Sequence, residues 1–237
     1  MSLQDRSCII TGATEGIGRA IAFALGARGA KLAVCARTDS RVRALVNELE
    51  AEKFTAVGDA CDVADADSVR RFVDAAQKTH GPSDVLVNNA GLAHFTSVED
   101  MPLEAFDETM AVNVRGVFLM TQAVLPEMKR RGRGAIVNIA SLAGRNAVPG
   151  AAAYAASKHA VLGFSKSLFA EVRTHGIRVA AICPGSVVTP FFEKSGGDVK
   201  NPQRKLQPED VANAVLAVLD LPERALISEL DLRPTNP

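Results

Sequence analysis

The sequence predicts a single α/β domain whose parallel β-sheet carries helices on both faces. Short apolar, β-branched segments alternate with segments of helical periodicity along the whole of its 237 residues. No low-complexity linker and no internal repeat marks a second domain. Because strand–helix–strand units are joined by right-handed crossovers, this alternation places helices on both faces of a parallel sheet. We therefore expect one domain spanning residues 1–237.

The individual elements follow from the spacing of their apolar residues. The segments that predict strands are 7–11, 31–36, 54–60, 84–88, 134–140, 177–183 and 225–230. The segments that predict helices are 16–28, 40–51, 65–79, 104–131, 155–174 and 208–220. Pro208 suits the start of the last helix, and the two acidic residues after it favour the positive end of its dipole.

Composition favours a small-molecule partner. The 27 Lys and Arg residues balance the 27 Asp and Glu residues, so no overall basic field attracts nucleic acid or an acidic membrane. No apolar run approaches the roughly 18 residues of a membrane span. The N-terminus leads directly into the first predicted strand and not into a targeting segment. We expect a cytoplasmic protein.

The cysteines predict neither disulfides nor a metal site. They are dispersed without CxxC spacing, and each lies in or beside an apolar run: Cys8, Cys35, Cys61 and Cys183. We expect buried free thiols, with one reactive thiol among them as the alternative.

A glycine-rich turn, TGATEGIG, follows the first strand at residues 11–18. Gly12, Gly16 and Gly18 allow the backbone to turn sharply and to approach a ligand closely. The helix that begins there directs free N–H groups and the positive end of its dipole at that ligand, as a dinucleotide pyrophosphate requires. The spacing is GxxxGxG and not GxGxxG, and close packing of helix on strand remains the alternative.

Tyr154 is the only tyrosine in the chain, and Lys158 follows it four positions later. On a helix the two side chains share a face. An ammonium near a phenol stabilises the phenolate, so we expect Lys158 to lower the pKa of Tyr154 and to make it a general acid or base. A tyrosine that only packs at a helix start is the alternative.

These motifs, with NNAG at 88–91, Ser141, the PG pair at 184–185 and Thr189, together resemble the short-chain dehydrogenase/reductase family. The resemblance covers most of the chain and implies a Rossmann-type, doubly wound parallel sheet of seven strands in the order 3-2-1-4-5-6-7. It also implies an enzyme that moves hydride between a nicotinamide cofactor and a carbonyl or alcohol.

The resemblance assigns roles to four residues. In this family the tyrosine passes a proton to the substrate carbonyl, the lysine also holds the nicotinamide ribose, the serine hydrogen-bonds the carbonyl oxygen, and the asparagine supports a water-linked proton path. The matching residues are Tyr154, Lys158, Ser141 and Asn113, which we expect to be the catalytic set. Taken singly, each also suits a cap or a packing role.

The expected cofactor is NADP, with NAD as the alternative. Relatives that bind NAD usually have an aspartate at the end of the second strand, whereas this chain has Ala36 and then Arg37, and a cation suits a 2′-phosphate. Glu15 departs from the NADP-preferring members, many of which have a basic residue in the glycine turn. The contacts that the resemblance implies are Gly12, Thr14, Glu15, Gly16, Ile17, Gly18, Arg37, Asp62, Val63, Asn89, Ala90, Gly91, Tyr154, Lys158, Pro184, Gly185, Val188 and Thr189.

The substrate pocket is expected between residues 92–96, residues 142–150 and a mobile substrate loop at 190–207. This loop offers Phe191 and Phe192 but also Lys194 and Lys200. An apolar or aromatic carbonyl compound is therefore expected. His94 could orient a polar substrate, although a surface histidine is the simpler interpretation.

Three functions remain open on the sequence. The first is an NADP-dependent carbonyl reductase or alcohol dehydrogenase. The second is a 3-oxoacyl carrier-protein reductase, whose acidic partner would bind the basic run KRRGR at 129–133 and Arg173; a solvated helix end is the alternative for this run. The third is a non-enzymatic dinucleotide sensor. Apolar residues on the helices at 104–131 and 155–174 predict a homodimer or homotetramer.

Overall fold

The computed structural model describes residues 2–195 and 201–235, and its centre is a seven-stranded sheet with the order β3-β2-β1-β4-β5-β6-β7. The strands are β1 Ser7–Thr11, β2 Lys31–Ala36, β3 Ala56–Ala60, β4 Val85–Asn88, β5 Gly134–Ile139, β6 Ile177–Pro184 and β7 Glu229–Leu232. Every neighbouring pair is parallel. The predicted Rossmann-type fold and strand order are confirmed.

Helices connect the strands. They are α1 Gly16–Gly26, α2 Asp39–Ala51, α3 Ala66–His80, α4 Leu103–Met110, α5 Gly116–Arg131, α6 Ala152–Val172, α7 Phe191–Lys194 and α8 Pro208–Asp220. The predicted bounds of α1, α2, α3 and α8 hold to within two residues. The helix predicted at 104–131 is interrupted by a π-helix at Ala111–Arg115 that joins α4 to α5.

Both faces of the sheet are buried, which explains why its strands are continuously apolar. All five residues of β1 are buried. Ile10 packs in the cluster that includes α1, α2 and α8, whereas its neighbour Ile9 packs in the cluster that includes α3, α5 and α6.

The strand order indicates where a ligand-binding crevice forms. Strand β1 pairs with β2 on one side and with β4 on the other, so the chain reverses its direction of winding between them. In open α/β sheets a crevice forms beyond the carboxyl ends of the strands at such a reversal.

The last strand lies further along the chain than the sequence indicates. The apolar residues Leu226 and Ile227, inside the predicted strand 225–230, pack against the core without pairing to β6. Pairing begins where Glu229 lies opposite Ala181. An apolar run therefore predicts burial here but not the register of the edge strand.

The four cysteines are buried free thiols, as predicted. None of the helices in residues 2–195 and 201–235 combines the length and apolar character that a bilayer span requires. In the same residues no group of three or more His, Cys, Asp or Glu side chains could hold a metal ion.

Candidate active site

A cavity of about 600 Å³ opens where the central strands end. The glycine turn, the ends of β2, β4 and β5, the start of α6 and the segment after β6 form its wall. All the cofactor contacts predicted from the sequence line this cavity except Gly18 and Val188. Ser141, Tyr154 and Lys158 line it as well, whereas Asn113 does not.

The glycine turn is held tightly against the end of β4. Gly12 has a φ of +62°, and a Cβ there would lie 2.8 Å from the Cα of Ala90. The Asn89 side-chain amide donates to the carbonyl of Gly12 at 3.0 Å, and the backbone N–H groups of Asn89 and Ala90 both donate to the hydroxyl of Thr11 at 3.0 Å. Only a residue without a side chain fits at Gly12.

Gly18 and Val188 do not line the cavity, but they hold segments that form it. A Cβ at Gly18 would lie 2.4 Å from the carbonyl oxygen of Gly12, so this glycine lets α1 pack directly on the turn. The backbone N–H of Val188 donates to the carbonyl of Leu206 at 2.8 Å, which joins the segment after β6 to the chain before α8.

The first turn of α1 suits an anion. Glu15 is the N-cap residue of α1, and its side chain makes no capping hydrogen bond. The first N–H groups of the helix therefore keep donors directed toward the cavity, and the dipole favours negative charge there. With the side-chain-free Gly12 and Gly16 beside it, this end of the cavity fits a dinucleotide pyrophosphate.

Tyr154, Ser141 and Lys158 meet at the other end of the cavity. Ser141 follows β5 and makes a side-chain hydrogen bond with Tyr154. Its hydroxyl also accepts from the backbone N–H of Ala143 at 3.1 Å. The Lys158 side chain is 5% exposed, and its Nζ donates to the carbonyl of Ile139 at 2.9 Å.

The expectation that Lys158 lowers the pKa of Tyr154 is wrong. Burial raises the pKa of the Tyr154 phenol, and the hydrogen bond with Ser141 offsets this only in part. The same burial lowers the pKa of Lys158 to about 8. Lys158 Nζ lies over the tyrosine ring, 5.7 Å from its centre. Both shifts have the same physical reason, because burial removes water from the charged form of each group, the Tyr154 phenolate and the Lys158 ammonium.

Asn113 lies in the π-helix between α4 and α5, where it is 1% exposed. Its side-chain amide donates to Leu92 O and to the Ser157 hydroxyl, both at 2.9 Å, and its carbonyl oxygen accepts from the Leu92 N–H at 2.9 Å. Ser157 in turn donates to the carbonyl of Tyr154 at 2.7 Å. Asn113 thus connects the segment after β4 to the turn of α6 that carries the tyrosine. The π-helix, a feature often found at functional sites, provides its position.

Two phenyl rings surround the phenol of Tyr154. The ring centre of Phe95 is 6.0 Å from that of Tyr154, and the ring centre of Phe191 is 5.7 Å from it. The Phe95 N–H donates to Ser195 O at 3.2 Å, which joins the segment after β4 to the end of α7. The side chain of Phe192 and all of Lys200, both named with the predicted substrate loop, lie outside the described residues.

The end of the cavity near the glycine turn carries cations that are paired with carboxylates. Arg37 lies 3.2 Å from Glu108, whose second oxygen is 3.0 Å from His94 Nε2. Glu15 contacts Lys194 and also Arg41, the latter at 3.2 Å.

The pairing of Glu15 explains why an acid is tolerated in the glycine turn. Its charge is matched by two cations from other parts of the chain, so it does not act as an isolated negative charge beside a phosphate site. No pattern in the sequence predicts these contacts, because they join segments that are far apart in the chain.

The basic run at 129–133 lies at the opposite edge of the sheet from the cavity, where α5 ends and β4 and β5 begin. Its cations have partners within the chain. The ion pairs are Lys129–Glu171 at 3.0 Å, Arg130–Glu127 at 2.6 Å, Arg131–Asp84 at 2.8 Å and Arg133–Asp84 at 3.5 Å. Much of the positive charge that suggested a protein-docking patch is therefore already neutralised.

Comparison with known proteins identifies similar chains. The family model described as short chain dehydrogenase matches residues 6–200. D-threitol dehydrogenase of Mycolicibacterium smegmatis is 42% identical over 193 residues, which are 81% of this chain and 74% of that protein.

Two solved structures extend the similarity to the whole fold. A metagenomic short-chain oxidoreductase in complex with NADP is 35% identical, with a TM-score of 0.87 and coverage of 100% of both chains. A variant of actinorhodin polyketide ketoreductase with NADPH is 36% identical, with a TM-score of 0.89 and coverage of 98% of this chain and 97% of that one.

Proposed function

The chain belongs to the short-chain dehydrogenase/reductase family and is an NAD(P)-dependent oxidoreductase, and we propose that it interconverts a carbonyl compound and a secondary alcohol with NADP(H) as its cofactor. The observation that carries this proposal is the meeting of Tyr154, Ser141 and Lys158 in the cavity that the glycine turn also lines. The cofactor, when bound, supplies or accepts hydride.

The chain's own groups handle the proton. The phenol of Tyr154 donates its proton to the substrate oxygen during reduction and takes it back during oxidation. The Ser141 hydroxyl, already hydrogen-bonded to the phenol, holds the same substrate oxygen. Lys158 stabilises the phenolate that forms, and Asn113 acts as a positioning residue through Leu92 and Ser157. A cavity wall that includes Phe95 and Phe191 keeps water away from this oxygen.

The pH dependence should differ between the two directions. Because the pKa of Tyr154 is raised, the phenol keeps its proton at neutral pH and is ready to act as an acid. The Lys158 ammonium is lost as the pH rises through about 8. We expect kcat/KM for reduction to be level in the neutral range and to fall above a pH of about 8, whereas oxidation, which needs the phenolate, rises with pH. Initial rates in both directions from pH 6 to 10 test this, and parallel profiles would contradict it.

Arg37 is proposed as the residue that selects NADP. It lines the cavity at the end of β2, where no carboxylate from that strand end is available for the ribose. We expect Arg37→Ala to weaken NADPH binding about tenfold, the usual effect of losing one contact to a charged group, and to leave NADH binding unchanged. Fluorescence titration of both reduced cofactors measures this.

Arg43→Ala is the matched control for Arg37→Ala, since Arg43 is an exposed arginine on α2 that pairs with Asp39 at 2.9 Å. It should leave both affinities unchanged. An equal loss of NADPH and NADH affinity in Arg37→Ala would remove Arg37 from the 2′-phosphate site.

The function itself is tested by following NADPH oxidation with a panel of ketones that includes an acyl thioester. The apolar surroundings of Tyr154 favour apolar or aromatic ketones. Failure of every ketone to promote oxidation of NADPH would overturn the proposal.

A thioester of a 3-oxoacid is the second candidate substrate, because a polyketide ketoreductase is among the similar structures. The paired cations at 129–133 give little support to a carrier protein bound at that run. Turnover of a carrier-linked substrate well above that of the free thioester would favour the carrier-dependent enzyme.

The non-enzymatic sensor is not retained, since the family and its relatives indicate an oxidoreductase.

We also propose that residues 190–195 and 201–207 of the predicted loop bind the substrate, residues 196–200 lying outside the described residues, and that the enzyme is a cytoplasmic homodimer or homotetramer. Phe118 on α5 is 46% exposed and lies on one of the two helices expected to pair, although Val117 and Leu162 on those helices are buried within the chain. A light-scattering mass equal to one chain would contradict the assembly.

A further inference from the structure

A second depression adjoins the cavity on its substrate side. It has a volume of about 500 Å³ and lies between the chain before α8, the first turns of α8 and the residues after β7. Lys205, Arg233 and Pro234 line both the depression and the cavity, so the two adjoin each other at these residues. We call this depression the basic groove; its charged and polar residues are Gln203, Arg204, Lys205, Asp210, Asn213, Arg233 and Thr235.

The basic groove has an excess of positive charge. Its one acidic side chain, Asp210, accepts a hydrogen bond from the backbone N–H of Gln207 at 2.8 Å and thereby caps α8. Arg233 lies 3.3 Å from Asp231. Within residues 2–195 and 201–235, neither Arg204 nor Lys205 has a carboxylate at ion-pair distance.

Arg204 and Lys205 differ in this respect from the basic run at 129–133, whose cations contact carboxylates of the same chain. Arg130, for example, lies 2.6 Å from Glu127. Cations that have no carboxylate partner among the described residues and that face a concave surface attract a ligand anion more readily than paired cations do. Their position beside the catalytic cavity means that such an anion can belong to the molecule bound there.

The part of the cavity around Tyr154 is of opposite character. The ring centres of Phe95 and Phe191 lie 6.0 and 5.7 Å from that of Tyr154, and the apolar residues Leu142 and Val148 also line the cavity. One molecule that fills both regions therefore has an apolar segment at its carbonyl and an anionic group further along its chain.

We propose that the basic groove binds the anionic tail, a carboxylate or a phosphate, of the carbonyl substrate. This inference rests on the proposed reductase function and deepens it by defining the substrate class. Arg204 and Lys205 supply the charge, and Asn213 supplies a neutral hydrogen-bond donor. Arg204 lines only the basic groove, which makes it the residue to change.

The test compares charged and neutral forms of the same ketone. One pair is acetoacetyl-phosphopantetheine and acetoacetyl-pantetheine, and the other is 5-oxohexanoate and its methyl ester. The wild type should show a lower KM for the charged member of at least one pair, and that pair identifies the anion as phosphate or carboxylate. Arg204→Gln should raise this KM about tenfold relative to the KM of the neutral member, as expected for one lost contact to a charged group.

Arg130→Gln is the matched control and should change neither KM, because Arg130 lies at the far edge of the sheet. Equal KM values for charged and neutral members in the wild type, or an equal rise of both in Arg204→Gln, would overturn the inference. A loss of NADPH affinity in Arg204→Gln would also overturn it, since the groove would then serve the cofactor. Absence of turnover with all four probes would overturn the inference, and it would refute the proposed function as well only if the whole ketone panel also failed.

Discussion

Replacing Tyr154 with phenylalanine is expected to lower kcat for ketone reduction by a factor of about 100 to 10,000, the usual contribution of a positioned general acid. The substitution removes one oxygen and the proton that it carries. The ring contacts with Phe95 and Phe191, at centre distances of 6.0 and 5.7 Å, do not depend on the hydroxyl and should persist. The loss should therefore fall on the chemical step and not on the fold.

Binding of NADPH provides the internal control for Tyr154→Phe. The glycine turn and the first turn of α1 lie at the other end of the cavity and are unchanged, so the Kd for NADPH should stay within about twofold, which is less than 0.5 kcal/mol. Stopped-flow measurement of hydride transfer, combined with titration of NADPH, separates the two effects. Turnover close to that of the wild type would show that another group delivers the proton.

The fold could be predicted because its physical signal is local. A parallel strand that is buried on both faces is apolar at every position, and β1 is an example, with all five residues buried. The edge strand β7 gives no such signal, since it contains Glu229 and Asp231 and its residues are partly exposed. The apolar pattern therefore predicts its start four residues early, in a segment that packs on the core without joining the sheet.

The site could be predicted only where its residues are close in sequence. Tyr154 and Lys158 are one helical turn apart, so their proximity follows from helix geometry. Their pKa values do not, because the direction of each shift depends on burial by segments distant in the chain. Phe95 contacts Tyr154 from the segment after β4, and no periodicity in the sequence predicts a contact between that segment and α6.

The cations that line the cavity could also be predicted only in part from the sequence. The sequence suggested Arg37 by its place after β2, and it suggested 129–133 by the density of basic residues. Arg41, Lys205 and Arg233 also line the cavity, yet none of them lies in a basic run as dense as that at 129–133. Whether a cation is available to a ligand depends on the carboxylates that the fold brings to it, and this information is absent from a charge pattern.

Gly18→Ala is expected to abolish most of the cofactor affinity and to destabilise the protein. A Cβ at this position would lie 2.4 Å from the carbonyl oxygen of Gly12 and 2.5 Å from the side-chain amide of Asn89. Both contacts are too short for a methyl group, so α1 must move away from the glycine turn. Overpacking of this kind costs about 1–3 kcal/mol, of which the better helix propensity of alanine recovers up to about 1 kcal/mol.

Cofactor affinity should fall more steeply than stability, because the same displacement disturbs the anion site. The turn and the first N–H groups of α1 converge only while helix and turn are in contact, and the Asn89 amide that would be displaced is the group that ties Gly12 to β4. We expect the Kd for NADPH to rise more than tenfold while Tm falls by only a few degrees. Titration of NADPH and thermal unfolding of the same sample measure both quantities.

Gly163→Ala is the matched control, since Gly163 lies within α6 and a Cβ there would meet no atom within 4 Å. The same chemical change should here raise stability by about 0.5–1 kcal/mol, through helix propensity alone, and leave the Kd for NADPH unchanged. The mass of both variants in solution should be measured as well, because α6 is one of the helices proposed to pair between subunits. If Gly18→Ala behaved like Gly163→Ala, the close contact between α1 and the glycine turn would not be what holds the pyrophosphate site together.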